Sequence, residues 1–180
     1  RDNETATLAV HAALTGHLVL ATLHTNDAIG VVPRLIDMGI DRYLIPSTLI
    51  LAIAQRLVQK LCPESKKEMK PSQEIIDLID NQLKEVGPET LKQFNVKKPY
   101  TLYEPQISNE CPKGVRGRIG VFEILEMNQQ LEDIILKEPS ESKIREEAKR
   151  QGATSMLQDG VLKALRGMVG LEEVRREVED

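Results

Sequence analysis

The chain is 180 residues long, with 24 Lys and Arg against 28 Asp and Glu, a net charge of -4 and two cysteines. A slight acidic excess offers no general attraction for nucleic acid, and two cysteines in this length speak against a secreted disulfide scaffold. Apolar runs such as Leu49 to Ala54 fall far short of the roughly 20 residues that span a bilayer, and no amino-terminal charged and apolar signal is present, so a soluble cytoplasmic protein of one domain, or one with a small appendage, is expected.

In chain order, Ala6, Ala9, Val10, Ala13 and Leu14 recur at helical spacing behind a cap at Asp2 or Asn3, and Gly16 can close that helix. The run Leu18 to Leu23 follows, bounded by Gly16-His17 and by His24-Thr25-Asn26-Asp27. It lacks sustained helical spacing and reads as a buried strand of a mostly parallel sheet. Ligands bind beyond the carboxyl ends of strands in open α/β sheets, so His24, Thr25 and Asn26 lead the candidates for chemistry. Asn26 and Asp27 can cap a second helix that carries Val32, Leu35, Ile36 and Met38 to Gly39, with Pro33 confined to its first turns. Capping, worth about 1 kcal/mol, accounts for Asp27 without a catalytic duty. His17 sits at the other end of the run, where it can brace the sheet. His11 lies within the first helix and carries no motif.

A longer helix is expected from Ser47 to Leu61, with Leu49, Ile50, Ile53, Ala54, Leu57, Val58 and Leu61 on an apolar face and Gln55, Arg56, Gln59 and Lys60 on the polar side. Composition then shifts to Pro, Lys, Glu and Ser over residues 62–73. Ile75, Ile76, Leu78, Ile79 and Leu83 mark a helix behind Ser72 that closes near Gly87-Pro88, and Pro88 to Phe94 gives a short second one. Thr101 to Tyr103 and Ile119 to Leu125 read as strands. Gly114, Gly117 and Gly120 lead into a strand and not a helix amino terminus, which discounts them as a phosphate cradle. From Asn128 onward four short amphipathic helices should form a bundle: Asn128 caps Leu131 to Leu136, Ser140 caps a helix through Ala148 with Gly152 as its stop, Thr154 or Ser155 caps Met156 to Leu165, and Leu171 to Val178 finishes. The charged run Lys143, Arg145, Glu146, Glu147, Lys149 and Arg150 reads as a solvated face.

No Gly-x4-Gly-Lys-Ser/Thr occurs, so no phosphate loop can be assembled from this sequence. A chain that opens at Arg1, inside a motif and without Met, is expected to be the carboxyl-terminal piece of something longer. Arg1-Asp2-Asn3-Glu4-Thr5 resembles the tail of the Walker B segment of the type II secretion and type IV pilus assembly ATPases, and Thr15 to Asn26 resembles their histidine box. Pro33 to Gly39, Ala54-Gln55-Arg56-Leu57, Gly117-Arg118 and Ser142 to Gly160 follow in that family's order, and residues 64–107 are the loosest part.

The resemblance implies an α/β fold: a partial RecA-like parallel sheet core over residues 1–61, a Cys-flanked excursion over 62–118 that is similar to the assembly and secretion branch, and a small carboxyl-terminal helical subdomain over 119–180. It implies ATP and Mg2+ as cofactors of a homo-hexameric parent, docked through an inner-membrane platform protein, with no nucleic acid partner and no transmembrane segment. His24 would report on the γ-phosphate. Asp2 and Glu4 would neighbour the metal, although capping of the first helix explains them equally well. Arg1, His17, Thr25, Asn26, Gln55 and Arg56 would lie on the nucleotide side, with an ordinary surface role open for the Gln-Arg pair. Without a phosphate loop the piece itself should not hydrolyse ATP. The rival reading is a stand-alone α/β plus helical binding module without catalysis. A histidine-dependent phosphohydrolase is disfavoured, because His17 and His24 are an odd number of residues apart and at opposite ends of the run.

In that family the excursion is tied by two Cys-x2-Cys pairs holding Zn2+. Here Cys62-Pro63-Glu64-Ser65 keeps one Cys, and Cys111 has Ser108 three residues before it and Gly114 three after. Serine hydroxyls stay protonated near neutral pH, so zinc is not expected and no metal ligand is assigned. The resemblance still implies that Cys62 and Cys111 lie close, within the spacing of about 4.4 to 6.8 Å between Cα atoms usual for a disulfide, as free thiols in a reducing cytoplasm.

Overall fold

A computed structural model describes residues 3–179. The chain divides into two compact units, Arg1–Ala54 with Ile124–Ala153 and Gln55–Glu123 with Thr154–Asp180. These cuts fall elsewhere than at the boundaries 61/62 and 118/119 read from the sequence.

In the first unit, helix α1 spans Asn3–Leu14, α2 Val31–Asp37 and α3 Ile45–Thr48, and after the strands come α6 over Gln129–Lys137 and α7 over Glu141–Arg150. Val10 of α1, Ala28, Ile29, Val32, Ile40 and Ile45 pack with Ala52, Leu125, Leu131, Ile135, Ile144 and Ala148 in one apolar core. Each fully buried Ile or Leu among them contributes about 1.5 to 3 kcal/mol. Helix α6 starts where the sequence says, because the Asn128 side chain accepts the Leu131 N–H at 2.8 Å and satisfies one of the free donors of the first turn.

The charged face of α7 departs from the solvated expectation. Glu147 is buried and accepts hydrogen bonds from Arg150, Asn128 and Gln151. The Arg150 hydrogen bonds, outweighing the opposing effect of burial, hold its carboxyl down at about 2. An i,i+3 pair at the carboxyl end of a helix thus fastens α7 to the cap residue of α6.

Strand β1, Leu51–Leu61, replaces the helix expected over Ser47 to Leu61. It pairs with β4, Val115–Glu126. The strands run antiparallel: the Met127 N–H donates to Ile50 O beyond one end, and the Cys62 N–H donates to Gly114 O beyond the other. The residues that helical spacing would gather on one side are parted by the pleat. Ala52 and Val58, on one face of the strand, are buried, whereas Ile53 and Leu57, on the other, stay exposed. A paired strand won over a periodicity that fitted a helix, because its partner lies some sixty residues downstream, beyond any local window.

The second unit contains β2 over Lys67–Met69, α4 over Gln73–Leu83, α5 over Pro88–Gln93 and β3 over Leu102–Glu104, with α8 over Met156–Leu165 and α9 over Leu171–Glu179. Strand β2, not foreseen, pairs antiparallel with β3 in the register Glu68 to Tyr103. Ser72 accepts the Ile75 N–H, and Ser155 forms a capping box with Gln158, whose amide also donates to Gln82 O. Helices α8 and α9 approach so closely that a Cβ on Gly160 would stand 2.2 Å from Val174 Cγ1. Lys66 Nζ donates to Gly167 O at 2.7 Å and lies over the Tyr103 ring, and Gly167 itself holds a φ of +64°. Tyr100 donates to Asp80 at 2.6 Å, and burial, aided by Asp80, pushes the phenol up to about 12.

The expectation of a parallel sheet is therefore corrected. Among the described residues both sheets are two-stranded and no parallel sheet is present. Of the four carboxyl-terminal helices, α6 and α7 belong to the first unit and α8 and α9 to the second. The fold is mixed α/β.

Candidate functional site

The stretch between α1 and α2 carries most of the candidates, and it is secured only at its two ends. Gly16, with φ +88°, turns the chain out of α1. The His17 N–H then donates to Ala12 O at 3.1 Å, and Thr15 Oγ1 donates to the same carbonyl at 2.9 Å. His17 Nδ1 lies 3.2 Å from Ala12 O and 3.1 Å from Thr15 Oγ1. A ring N–H donating to that carbonyl satisfies one of the acceptors a helix end leaves open. His17 thus closes a helix, where the sequence suggested the start of a strand.

Leu18 to Leu23 is not a strand. It has no regular secondary structure and no ladder partner among the described residues, and Leu18 and Leu20 are 81% and 90% exposed. A strand buried on both faces needs a neighbour along each edge to take its N–H and C=O groups, and among the described residues no such neighbour exists. His24 accordingly is exposed, and among the described residues no hydrogen bond engages its ring.

Order returns at the far end. Thr25 is half-buried with its Cβ and methyl against Gly30, Asn26 is exposed, and Ala28 and Ile29 are buried. Asp27 Oδ1 accepts the Gly30 N–H at 2.8 Å, which fixes the turn before α2, and its Oδ2 accepts from Arg145 Nη2 of α7 at 3.1 Å. The capping role read for Asp27 is not realised, since α2 starts after Gly30 without a side-chain cap; Asp27 holds the turn that precedes the helix. The Arg145 partner carried no signal, since Arg145 sits in a mixed-charge run like any solvated helix face.

Glu4 is exposed in the first turn of α1, where its charge suits the helix dipole. Arg1 and Asp2 lie outside the described residues. Gln55 and Arg56 are exposed on β1 in the second unit, and Gln55 Nε2 lies across β4, 3.1 Å from where a Cβ on Gly120 would stand. Among the described residues, no hydrogen bond or ion pair joins Glu4, His24, Thr25 or Asn26 to another candidate. The arrangement amounts to a set of exposed polar groups flanking an apolar run, able to contact a ligand that something else positions.

For metal, the donor set is unsuitable. No group of three or more His, Cys, Asp or Glu side chains is gathered among the described residues. Cys62 and Cys111 are joined to each other in a disulfide with Cα atoms 6.6 Å apart, so neither sulfur is a thiolate, contrary to the free thiols expected. Ser65, at the place of a second ligand, has its Oγ buried without a hydrogen-bond partner.

Comparison with known proteins places these features in context. Residues 1–176 match the family described as type II/IV secretion system protein. The chain is 38% identical over 185 residues to type II secretion system protein E of Xanthomonas campestris, covering all of this chain and 30% of that protein. It is 37% identical to the type IV pilus assembly ATPase PilB of Pseudomonas aeruginosa, again covering all of this chain and 30% of the relative. It is 41% identical to type II secretion system ATPase E of Vibrio cholerae, over 98% of this chain and 32% of the relative. The chain thus spans about a third of the length of the relatives it matches. In fold it is similar to the Legionella pneumophila ATPase DotB, with a TM-score of 0.60 at 21% identity over 99% of this chain and 36% of that one. The ADP-bound pilus retraction motor PilT gives a TM-score of 0.60 at 22% identity, over all of this chain and 38% of that one.

Proposed function

We propose, from the premise that the chain belongs to the type II/IV secretion system protein family, that it is part of a hexameric ATP-hydrolysing motor driving type II secretion or type IV pilus assembly. The observation that carries this is the continuous match at 37 to 41% identity to proteins named as secretion and pilus assembly ATPases. The exposed Leu18 and Leu20, and the exposed Ile53 and Leu57, support a piece whose apolar surface completes a larger body.

In such a body ATP and Mg2+ supply the phosphoryl group and its charge compensation. His24 contacts the γ-phosphate and reports its loss, and Thr25, Asn26, Gln55, Arg56 and Arg1 contribute polar contacts on the nucleotide side. Asp2 and Glu4 neighbour the metal. The hydrogen bond from His17 to Ala12 O favours a bracing role for that residue over a ligand role. The whole protein would act in the cytoplasm, peripheral to the inner membrane through a platform protein.

The test is His24→Ala in a protein that carries this stretch together with a phosphate loop. Turnover falls at least roughly tenfold while nucleotide affinity stays within about twofold; unchanged turnover overturns the sensing role. The 180-residue chain alone shows no hydrolysis above buffer, since positioning of the phosphates supplies most of phosphoryl-transfer catalysis. The absence of a Gly-x4-Gly-Lys-Ser/Thr sequence favours a second reading, a binding module without catalysis. Titration of that longer protein with nucleotide separates the two, and a failure to bind would leave the module.

A further inference from the structure

The Cys62–Cys111 cystine closes a ring of chain that holds β2, α4, α5 and β3, and it sits where that ring meets the ends of two strands. Cys62 follows the last residue of β1, and Gly114 precedes the first residue of β4. Both half-cystines are buried, and each heads a tight turn. The Ser65 and Lys66 N–H groups donate to Cys62 O, and the Gly114 N–H donates to Cys111 O. The flanks are open, with Pro63, Glu64, Pro112 and Lys113 exposed. Residues 105–113 have no regular structure, and Ile107 is exposed within them. Among the described residues, their hydrogen bonds stay inside the loop, between Ser108 and Cys111 and from Gly114 to Cys111. At its carboxyl end the loop runs into β4, which is paired with β1 and continued by the Cys62 N–H bond to Gly114 O; within residues 105–113 the cystine is what ties the loop to the end of β1 among the described residues.

We propose that Cys62–Cys111 is a site of reversible thiol–disulfide exchange with a dithiol reductant, and that its redox state decides whether the loop 105–114 is held against the end of β1. One sulfur of the dithiol attacks a cystine sulfur as a thiolate and gives a mixed disulfide, expelling the other cysteine as a thiolate that takes up a proton. The second sulfur of the dithiol then displaces the remaining cysteine. One S–S bond breaks in the protein, one forms in the reductant, and two hydrogens end on Cys62 and Cys111. Exposed turns on both sides let the reductant reach the buried sulfurs by a local opening, without unfolding of the unit.

The experiment compares the full 180-residue chain oxidised and after treatment with dithiothreitol. Thiol titration in denaturant finds none in the oxidised chain and two in the reduced one. Trypsin cuts at Lys113–Gly114 roughly tenfold faster in the reduced chain, and amides of residues 105–114 exchange faster by a similar factor, while those of α6 and α7 do not change. The Cys62→Ser, Cys111→Ser double variant behaves as the reduced chain in either buffer. Should that variant fail to fold, the two states of the unaltered chain still decide. Two titrating thiols after mild oxidation, equal cutting at Lys113 in both states, or exchange that rises equally in α6 and α7 would each overturn the proposal. None of these readouts depends on nucleotide.

Discussion

Residues 17–24 and residues 128–152 belong to the same compact unit and are held in opposite ways. The first segment is the more apolar, yet Leu18 and Leu20 are exposed and its backbone finds no ladder among the described residues. The second is dense in charge, yet Leu131, Ile135 and Ile144 are fully buried and Glu147 is fastened by three neighbours. Apolar content does not by itself secure a segment. What secures it is hydrogen-bond partners for its backbone, and the second segment supplies these within its own helices, with Asn128 capping the first of them.

The sharpest break of this contrast is a pair of truncations. Leu131→Ala removes a fully buried side chain of a capped helix and is expected to cost about 3 kcal/mol of unfolding free energy, whereas Leu20→Ala should change stability by less than about 0.5 kcal/mol. Urea denaturation followed by circular dichroism measures both, and equal losses would mean that residues 17–24 are buried in solution.

A smaller effect comes through pH. The folded Glu147 carboxyl titrates at about 2, against an ordinary 4.5 when unfolded, so its contribution is fully present above about pH 4.5 and is lost as pH falls through that window toward 2. The contribution is on the order of 2 kcal/mol, and Glu147→Gln should flatten this part of the stability curve. A variant that keeps the wild-type slope would assign the acid sensitivity to other carboxylates.

The smallest effect lies at the joint between the two behaviours. Arg145 is exposed, so Arg145→Ala should cost no more than about 0.5 kcal/mol globally. It should nevertheless speed amide exchange at Gly30, whose N–H is held by the Asp27 carboxylate that Arg145 contacts. Arg145→Lys restores most of the protection. No change at Gly30 would show that Asp27 holds its turn unaided.

The same physics explains what could be read from residues alone. Asn128, Ser72 and Ser155 sit where a helix start needs an acceptor, and each helix begins there. Local capping is visible in a short window. The pairing of β1 with β4 is not, and a run with good helical spacing went to a strand. Leu18 to Leu23 reads as a buried strand and is neither a strand nor buried at Leu18 and Leu20, because pairing and burial depend on neighbours. Glu147 and Arg145 belong to a run whose mixed charges look uniformly solvated, so nothing marked one for burial and the other for Asp27. His17 was found as a residue of interest, and its tie to Ala12 O depended on the exact end of α1.

Each compact unit is assembled from two separated stretches of chain, and this bears on synthesis. The core around Ile45 and Ala52 waits for Leu125, Leu131 and Ile144, and the second unit waits for α8 and α9. Synthesis from the amino-terminal side therefore completes the first unit only after α7 and the second only after α9, so strand and leucines of the earlier stretches stay unpaired until those helices emerge. Loop closures of such span slow folding and lengthen exposure to chaperones, and a contiguous half expressed alone would lack part of both cores.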